Sequence, residues 1–557
     1  MSVRIRPVAG VPSGPPIAVS TRSTRMLTTG SWRTWRPEYG TRSSPCNLDC
    51  PAGTDVRAFI ARAADGDVQG AWDTIRRHNP LPAVCGRVCY HPCELNCNRT
   101  TFDEPIAIQA IERAIANEAR RRRLDPEPIG AEPQARRVGV VGAGPAGLSC
   151  AYQLARLGYP VTVLDQNLEP GGMLRYGIPA YRLARPALAR EIALLRRMGI
   201  TFANGVRVGT KGAPDLSAFA AVFLAIGAQH SKRLRLPGET LPGVRSGLDL
   251  LHDVNAGIGR PLLGHVVVIG GGNTAIDTAR AALRLGGEPT VVYRRSREDM
   301  PAHPDEVSQA TAEGVRFVYW VAPLQFLENR GRVAGVELQR MRPGEDDASG
   351  RPRPEPIPGA SFTLAADHVF SAIGEEVDVD ALSTFAVAGN GRLRADRWSR
   401  TTRAAIFAGG DAATGAGTVV DAIGSGRRAA EAIDAHLRGC DLVDQGVADR
   451  VTAGDLNLFY FRHAPRAVAR ARTDTTSFDE VVTGLTWTQA VAEARRCFTC
   501  GSCTTCDNCY TFCPDAAVIP DRRAGTYTID LTHCKGCGIC VAECPRGAIA
   551  LVPEGAR

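Results

Sequence analysis

Several absences frame this 557-residue sequence. Lysine is nearly missing: Lys211, Lys232 and Lys535 are the only lysines among 66 basic residues. Arginine carries the positive charge throughout, so a local cluster of arginines means less here than elsewhere. No apolar run approaches the ~20 residues of a membrane-spanning helix, which predicts a soluble chain. No basic stripe interleaved with aromatics stands inside a folded segment, which argues against a nucleic-acid role. No secretory signal is evident, and the eighteen cysteines stand in tight tandem spacings rather than as scattered pairs. That pattern predicts metal ligands in a reducing cytoplasm, not disulfides.

The length exceeds what one core supports, and about three or four domains are expected. The hydrophobic fraction of 44% is ordinary for a globular protein. The net charge of +8 is uneven. Residues 1–42 hold Arg4, Arg6, Arg22, Arg25, Arg33, Arg36 and Arg42 against one acid, Glu38, with no helical period. This reads as an arm, disordered alone and ordered on a partner. The same composition describes a mitochondrial transit peptide, a reading that the chain-wide arginine bias weakens.

The stretch Val138–Asp165, VGVVGAGPAGLSCAYQLARLGYPVTVLD, reads as strand, glycine turn, helix and strand. Gly142, Gly144 and Gly147 fall at the GxGxxG spacing. The first makes the turn, the second lets backbone approach a pyrophosphate, and the third lets helix and strand pack closely. The helix opening at Pro145 and Ala146 aims free N–H groups at that pyrophosphate. Asp165 closes the second strand, where an acid can hold a ribose hydroxyl.

Upstream stand Cys46 and Cys50, then Cys85, Cys89, Cys93 and Cys97, each four apart. Between them Asp55 to Arg77 reads as two short helices around Ala64-Asp65-Gly66-Asp67. Thiolates so spaced, gathered by a helical hairpin, suit an iron–sulfur cluster. Zinc usually takes two Cys-x2-4-Cys knuckles, which this pattern lacks.

CGRVC followed by PC and C, then EPIAIQAIERA, resembles the N-terminal domain of the glutamate synthase small subunit family. That family includes the N-terminal half of dihydropyrimidine dehydrogenase and the large subunit of NADH-dependent ferredoxin:NADP oxidoreductase. The resemblance implies two [4Fe–4S] clusters. One would use Cys50, Cys89 and Cys93 with Glu112 from the following helix. The other would use Cys46 and Cys97 plus a Cys-x2-Cys just upstream, and here the chain departs, because no cysteine precedes Cys46. Cys85 matches a position that is not a ligand in the relatives.

Gly171, Gly172 and Met173 form a turn through which backbone can approach a ring system. GGMLRYGIP, which includes Leu174 and Arg175, resembles the family segment lying along FAD. A second fingerprint starts at His265, with Gly270, Gly271 and Gly272 and a helix capped near Asn273 and Thr274, Ala275 following. Its second strand ends not in an acid but in Tyr293-Arg294-Arg295. Two guanidinium groups there can grip a 2′-phosphate, which predicts NADP(H) over NAD(H); the alternative is a solvated basic loop end. VFLAIG at 222–227 recurs as VFSAIG at 369–374, and the pair reads as hinge strands into and out of the nicotinamide domain. The later IFAGGDAATGAGTVVDAIGSG resembles the family's return to flavin. There Gly410 and Asp411 would contact the ribityl and pyrophosphate, and a helix from near Thr418 would reach under the ring. Cys150 and Cys440 have no partner spacing and read as small buried residues.

Near the C-terminus, Cys503, Cys506, Cys509 and Cys513-Pro514 are followed by Cys534, Cys537, Cys540 and Cys544-Pro545. These are two copies of Cys-x2-Cys-x2-Cys-x3-Cys-Pro, the ligand run of a two-[4Fe–4S] ferredoxin. The fourth cysteine of each run crosses over, giving one set of Cys503, Cys506, Cys509 and Cys544 and another of Cys534, Cys537, Cys540 and Cys513. The wording also resembles the delta subunit of 2-oxoacid:ferredoxin oxidoreductases. Cys497 and Cys500 supply the Cys-x2-Cys missing upstream, either completing the cluster of Cys46 and Cys97 or standing as structural thiols.

The expected organisation is multidomain. A basic arm (1–45) precedes an α-helical Fe–S domain (46–130). Two α/β Rossmann-like dinucleotide-binding domains follow: an FAD domain in two parts (131–260 and 371–440) around an NADP domain (261–370). A connecting region (441–490) leads to an α+β bacterial-type ferredoxin domain (491–557). No catalytic acid or base is expected, since hydride transfer to flavin needs stacking geometry. The expected function is electron exchange between NADP(H) and a partner through FAD and clusters, as part of a hetero-oligomer. A thiamine diphosphate-dependent 2-oxoacid oxidoreductase is the first partner, with a free-standing NADPH:ferredoxin oxidoreductase and a glutamate synthase-like donor as alternatives.

Overall fold

The computed structural model describes residues 27–555 apart from 31–32, 41, 126–131, 211–213, 379–387, 390, 444–445, 447 and 473–475. Arg4, Arg6, Arg22 and Arg25 of the expected arm, and Lys211, lie outside the described residues. The chain divides into two units: a larger one of 45–447 with 463–497, and a smaller one of 1–44, 448–462 and 498–557.

The larger unit opens with helices. In α1 (Val56–Ala64) and α2 (Val68–Arg76) the caps are Asp55 and Asp67, whose carboxylates accept from the amides of Ala58 and Gly70. Helices α3 (Pro82–Val88) and α4 (Ile108–Arg122) follow, and Trp72, Ile75, Ile111 and Ile115 are buried among them.

Two parallel five-stranded sheets come next. The first contains β1 (Val138–Val141), β2 (Val161–Asp165), β3 (Thr201–Asn204) and β4 (Ala221–Leu224), with helices α5 (Pro145–Arg156) and α6 (Arg185–Arg197) between strands. The second contains β5 (Val244–Ser246), β6 (His265–Ile269), β7 (Glu288–Tyr293) and β8 (Arg316–Tyr319), with α7 (Gly247–Asn255), α8 (Asn273–Arg284) and α9 (Pro304–Glu313). An antiparallel ribbon of β9 (Val321–Asn329), β10 (Arg332–Asp346) and β11 (Pro352–Ala365) is followed by β12 (His368–Ser371), β13 (Ile406–Ala408) and the 20-residue helix α10 (Val419–Arg438). The sheet orders are β13-β4-β1-β2-β3 and β8-β7-β6-β12-β5. In each, the glycine-turn strand sits where the order reverses, the place where open α/β sheets bind ligands.

Strand β5 pairs with β12, Val369 opposite Val244, so 244–255 belong to the second sheet. The expected boundary at 260 is therefore too late, because the three-residue strand Val244-Arg245-Ser246 carries no hydrophobic pattern and its partner lies far downstream. The VFLAIG and VFSAIG repeats are not hinges but strands inside the sheets: β4 lies between β13 and β1, and β12 between β6 and β5. The crossing segments just after them pair instead, Glu375 with Ser231 and Glu376 with His230.

A buried charge lattice joins the parts of the larger unit. The Arg182 guanidinium lies 2.6 Å from Asp277 and 2.9 Å from Glu306, and donates to the Tyr90 hydroxyl at 3.0 Å. Arg280 pairs with Glu306 and Glu313, each at 2.6 Å, and Arg284 pairs with Glu313 at 2.8 Å. Both arginines lie over the Tyr181 ring, at 4.7 and 4.1 Å from its centroid. Burial works against the Arg182 charge, but Asp277 and Glu306 outweigh it and hold the guanidinium well above its usual range.

In the smaller unit, strand Trp35–Tyr39 pairs antiparallel with Ile549–Pro553. Val518–Asp521 and Thr526–Ile529 form a hairpin, and short helices span Asn508–Thr511 and Ile539–Ala542. Arg42 pairs with Asp455 at 2.8 Å. The described part of the expected arm is thus ordered within the ferredoxin-like unit of its own chain. The expected connecting region divides as well, 448–462 going to the smaller unit and 463–497 to the larger.

Replacing Glu313 by Ala leaves the Arg284 guanidinium buried without its carboxylate and Arg280 with Glu306 alone. The expected cost is about 3–5 kcal/mol, read as a lower urea midpoint for the larger unit.

Candidate functional site

Three segments converge at the C-terminal end of β1. A Cβ on Gly142 would lie 2.3 Å from the Ala225 oxygen, and one on Gly147 would lie 1.9 Å from the Gly142 oxygen. Larger residues would force α5 off β1. A Cβ on Gly144 would meet nothing within 4 Å, so the turn is open on the side where the α5 amides point, as a pyrophosphate requires. The Gly171 amide donates to Ala143 O at 2.9 Å, and a Cβ on Gly172 would lie 2.8 Å from Gly144 Cα. This brings Gly171, Gly172 and the Met173–Tyr176 helix against the turn, with Leu174 buried and Arg175 donating to Pro170 O. From downstream, Gly410 approaches the Ala146 side chain, and its amide donates to Ser425 Oγ at 2.8 Å. Thr418 caps α10 reciprocally with Asp421, and Gly426 lets α10 cross α5 closely, since a Cβ there would lie 2.0 Å from Ala146 O.

Asp165 accepts from the amides of Ala143 at 2.6 Å and Asn167 at 2.7 Å, so it closes the glycine turn. Burial raises its carboxyl, against those two donors. It also lines a cleft with Gly142, Gln166, Arg207 and Gly227.

The second fingerprint repeats the first. A Cβ on Gly270 would lie 2.2 Å from Ala372 O, while one on Gly272 would meet nothing. The cap of α8 is Gly272, not Asn273 or Thr274. Asn273 instead accepts from the His303 amide at 3.0 Å, and Thr274 donates to Glu375 at 2.9 Å, while Ala275 is fully buried. Arg294 is exposed at the end of β7. Arg295 departs from expectation: it is 4% exposed, paired with Asp347 at 2.5 Å and donating to Pro352 O at 2.8 Å. The folding back of the β10–β11 ribbon commits that guanidinium, leaving Arg294 to face solvent.

Of the upstream cysteines, Cys93 lies in the helical core, with Cys46, Cys50, Cys97 and Cys497 packed against it. Burial pushes the Cys89 thiol up, and facing Glu112 and Cys50 adds to this. Cys93 likewise faces Cys50 and Cys89. The structure therefore gathers Cys50, Cys89, Cys93 and Glu112. Glu112 accepts from Asn79 Nδ2 at 3.0 Å, and burial pushes its carboxyl up to about 8. A buried carboxyl among thiols is the donor chemistry of a metal site, where the metal would hold it ionised. Cys85 is buried beside Glu112 and Cys89, a closeness that its assignment as a bystander did not anticipate. Cys150 is buried as expected, whereas Cys440 is exposed.

In the smaller unit, which also holds Cys500, the crossover is visible in the neighbours of each thiol. Cys503 is raised by burial and by Cys544 and Cys506, and Cys509 faces Cys503 and Cys506. Cys534 faces Cys513 and Cys537. Burial, with Cys534, Cys537 and Cys513, pushes Cys540 to about 12. The amides of Ala517 and Ala548 donate to the sulfurs of Cys513 and Cys544, at 3.3 and 3.4 Å. Two tetrads of facing thiols fit two four-iron clusters in donor type and number.

Sequence reasoning missed Ser425, Glu375 and Asn79, which orient site residues. Each acts on a site residue through a side-chain hydrogen bond across the fold, and no spacing announces it.

Comparison with known proteins agrees with these divisions. Residues 136–426 match the pyridine nucleotide-disulphide oxidoreductase family. Residues 39–124 match the dihydropyrimidine dehydrogenase domain II, 4Fe-4S cluster, and 502–549 match a 4Fe-4S dicluster domain. The chain is 38% identical over 504 residues to the NADP(+)-dependent formate dehydrogenase subunit beta of Moorella thermoacetica, covering 82% of this chain and 70% of that one. It is 38% identical over 510 residues to the NADPH-Fe(3+) oxidoreductase subunit beta of Geobacter sulfurreducens, covering 82% and 75%. It is 36% identical over 412 residues to the glutamate synthase [NADPH] small chain of Escherichia coli, covering 70% and 87%.

Asp411 gives the flavin cradle a pH signature. Burial raises its carboxyl to about 6, against the Gly417 amide and with Glu375 and Asp421 adding to the rise. A raised carboxyl favours the protonated folded chain. Its contribution to stability is full below the unfolded value of 3.8 and is lost as pH rises through about 6. The flavin-free protein is expected to lose stability from pH 4 to 6 on this account, and melting curves of Asp411→Asn should lack that slope.

Proposed function

Because the chain belongs to the pyridine nucleotide-disulphide oxidoreductase family, and is a relative of the glutamate synthase small subunit with iron–sulfur domains, we propose that it exchanges electrons between NADP(H) and a partner protein. The carriers are FAD and four [4Fe–4S] clusters. The observation that carries this reading is the pair of glycine cradles on two parallel sheets of one unit, each open above its second or third glycine. Bound FAD supplies the exchange between a hydride pair and single electrons.

The chain's own residues bind and orient. Gly142, Gly144, Pro145, Ala146 and Gly147 hold the flavin pyrophosphate at the α5 N-terminus, and Asp165 takes the adenosine ribose with its remaining lone pairs. Gly171, Gly172, Met173, Leu174 and Arg175 lie along the flavin, with Gly410, Asp411 and Thr418 at its ribityl chain and ring. Gly270, Gly272, Asn273, Thr274 and Ala275 hold the nicotinamide dinucleotide, and Arg294 takes the 2′-phosphate. Cys50, Cys89, Cys93 and Glu112 ligate one cluster. Cys46, Cys97 and Cys497, packed against the same helical core, supply ligands to another. The crossed tetrads of the smaller unit hold two more.

The chain acts as the electron-exchange subunit of a larger complex. The wording of its C-terminal cysteine runs supports a 2-oxoacid oxidoreductase as partner. A second reading, a formate dehydrogenase-type partner, is supported by the match over 504 residues to a protein of that name.

In steady-state assays with an artificial acceptor, Arg294→Ala should raise KM for NADPH roughly ten- to hundredfold, the worth of a charged hydrogen bond, with NADH turnover unchanged. An unaltered KM would make Arg294 a solvated loop end. Anaerobic native purification with mass spectrometry decides the partner. A co-purifying thiamine-dependent enzyme supports the first reading, and a formate-oxidising subunit the second. A lone chain that reduces ferredoxin from NADPH overturns both.

A further inference from the structure

The two cysteine runs of the smaller unit are close copies, yet one sulfur is treated differently. Tyr39 Oη lies 3.1 Å from Cys509 Sγ. A phenol is protonated at neutral pH and a cluster thiolate only accepts, so the hydroxyl is the donor. We propose that Tyr39 sets the reduction potential of the cluster held by Cys503, Cys506, Cys509 and Cys544 by donating a hydrogen bond to the Cys509 sulfur. This rests on the reading of those cysteines as cluster ligands.

The hydroxyl is held in place from several sides. Tyr39 ends the strand that pairs with Ile549–Pro553, directly opposite Ile549, and the next amide, Gly40, donates to Ala548 O. Its ring stacks on Tyr527, with centroids 6.0 Å apart and planes 20° apart. Tyr527 is itself fixed by a 2.5 Å hydrogen bond to Asp507. Upstream, Thr29 and Arg33 donate to the Cys534 carbonyl at 2.7 and 3.1 Å, and the Arg33 guanidinium also acts on the Cys534 thiol of the second run.

The runs differ in two contacts, the Tyr39 hydroxyl on Cys509 in one and the Arg33 guanidinium beside Cys534 in the other, so the hydroxyl is isolated by removing it alone. Cys513 and Cys544 each receive one backbone amide, from residues four positions on, so the crossover sulfurs are matched. Cys540 is the counterpart of Cys509, and among the described residues no side chain donates to it. Hydrogen bonds to cluster sulfurs stabilise the more negative, reduced state and raise the potential. The segment carrying Arg33 and Tyr39 therefore treats two similar cluster sites differently, one receiving a hydroxyl and the other a charge.

Tyr39→Phe keeps the ring, the stack and the strand and removes only the hydroxyl. The test is an anaerobic redox titration of the full chain followed by electron paramagnetic resonance. At the potential that half-reduces the Cys509 cluster in the unaltered chain, the variant's ratio of reduced to oxidised cluster should fall roughly three- to tenfold, tenfold being about 59 mV for one electron. The other C-terminal cluster should move much less. Unchanged titration of both signals at full iron content overturns the proposal. Should Tyr39→Phe lose iron, 3-fluorotyrosine at position 39, a stronger donor of nearly the same shape, must move the same signal to higher potential; no movement overturns the proposal. If the unaltered chain shows no cluster signal from this unit, the ligand reading itself fails, and that outcome is separate from a silent hydroxyl.

Discussion

The buried charge lattice around Arg182 is the interaction on which the geometry of the larger unit depends. Its members come from a loop of the helical region (Tyr90), the segment after the Gly171-Gly172 turn (Tyr181 and Arg182), α8 (Asp277, Arg280 and Arg284) and α9 (Glu306 and Glu313). The first three adjoin or carry pieces of the proposed cofactor sites, and Glu306 of α9 bridges Arg182 to Arg280. Ion pairs so deeply buried add little net stability over apolar packing, but a missing partner is very costly. The lattice therefore acts as a register lock. It tolerates one mutual placement of the cradles, and hydride transfer by stacking is highly sensitive to that placement.

Much of the site was legible because its signals are local. The glycine turns work through close backbone approach, and the approach at Gly142 and Gly147 falls where the spacing put it. The cysteine runs were equally legible, down to the crossover that brings Cys544 toward Cys503. Illegible features depend on chain far away. Arg295 reads as a phosphate ligand until the ribbon ending at Ala365 folds back and takes its charge. Residues 27–40 read as a free arm because their partner strand lies some five hundred residues downstream, Trp35 opposite Pro553. The domain boundary at 260 was late for the same reason, since β5 is too short to announce itself without β12.

The two families of metal site are also built by different means. Upstream ligands come from loops and helix ends gathered into an apolar helical core, with a carboxyl among the thiols. The proposed downstream ligands come from two short duplicated runs, some buried and some exposed, with backbone amides on Cys513 and Cys544. Burial, ligand charge and hydrogen bonding set cluster potentials, so two such environments provide a spread of potentials within one chain.

The pairing of Glu375–Glu376 with His230–Ser231 has a consequence for how the protein is made. Entry to and exit from the second sheet lie side by side, so that sheet is an insertion interrupting the first. Strand β13 and helix α10, which complete the first sheet, leave the ribosome only after the whole insertion. Until then β4 presents an open, wholly apolar edge, AVFL, of the kind that templates association with other chains. The nascent protein therefore passes through a long vulnerable stage that the finished fold conceals.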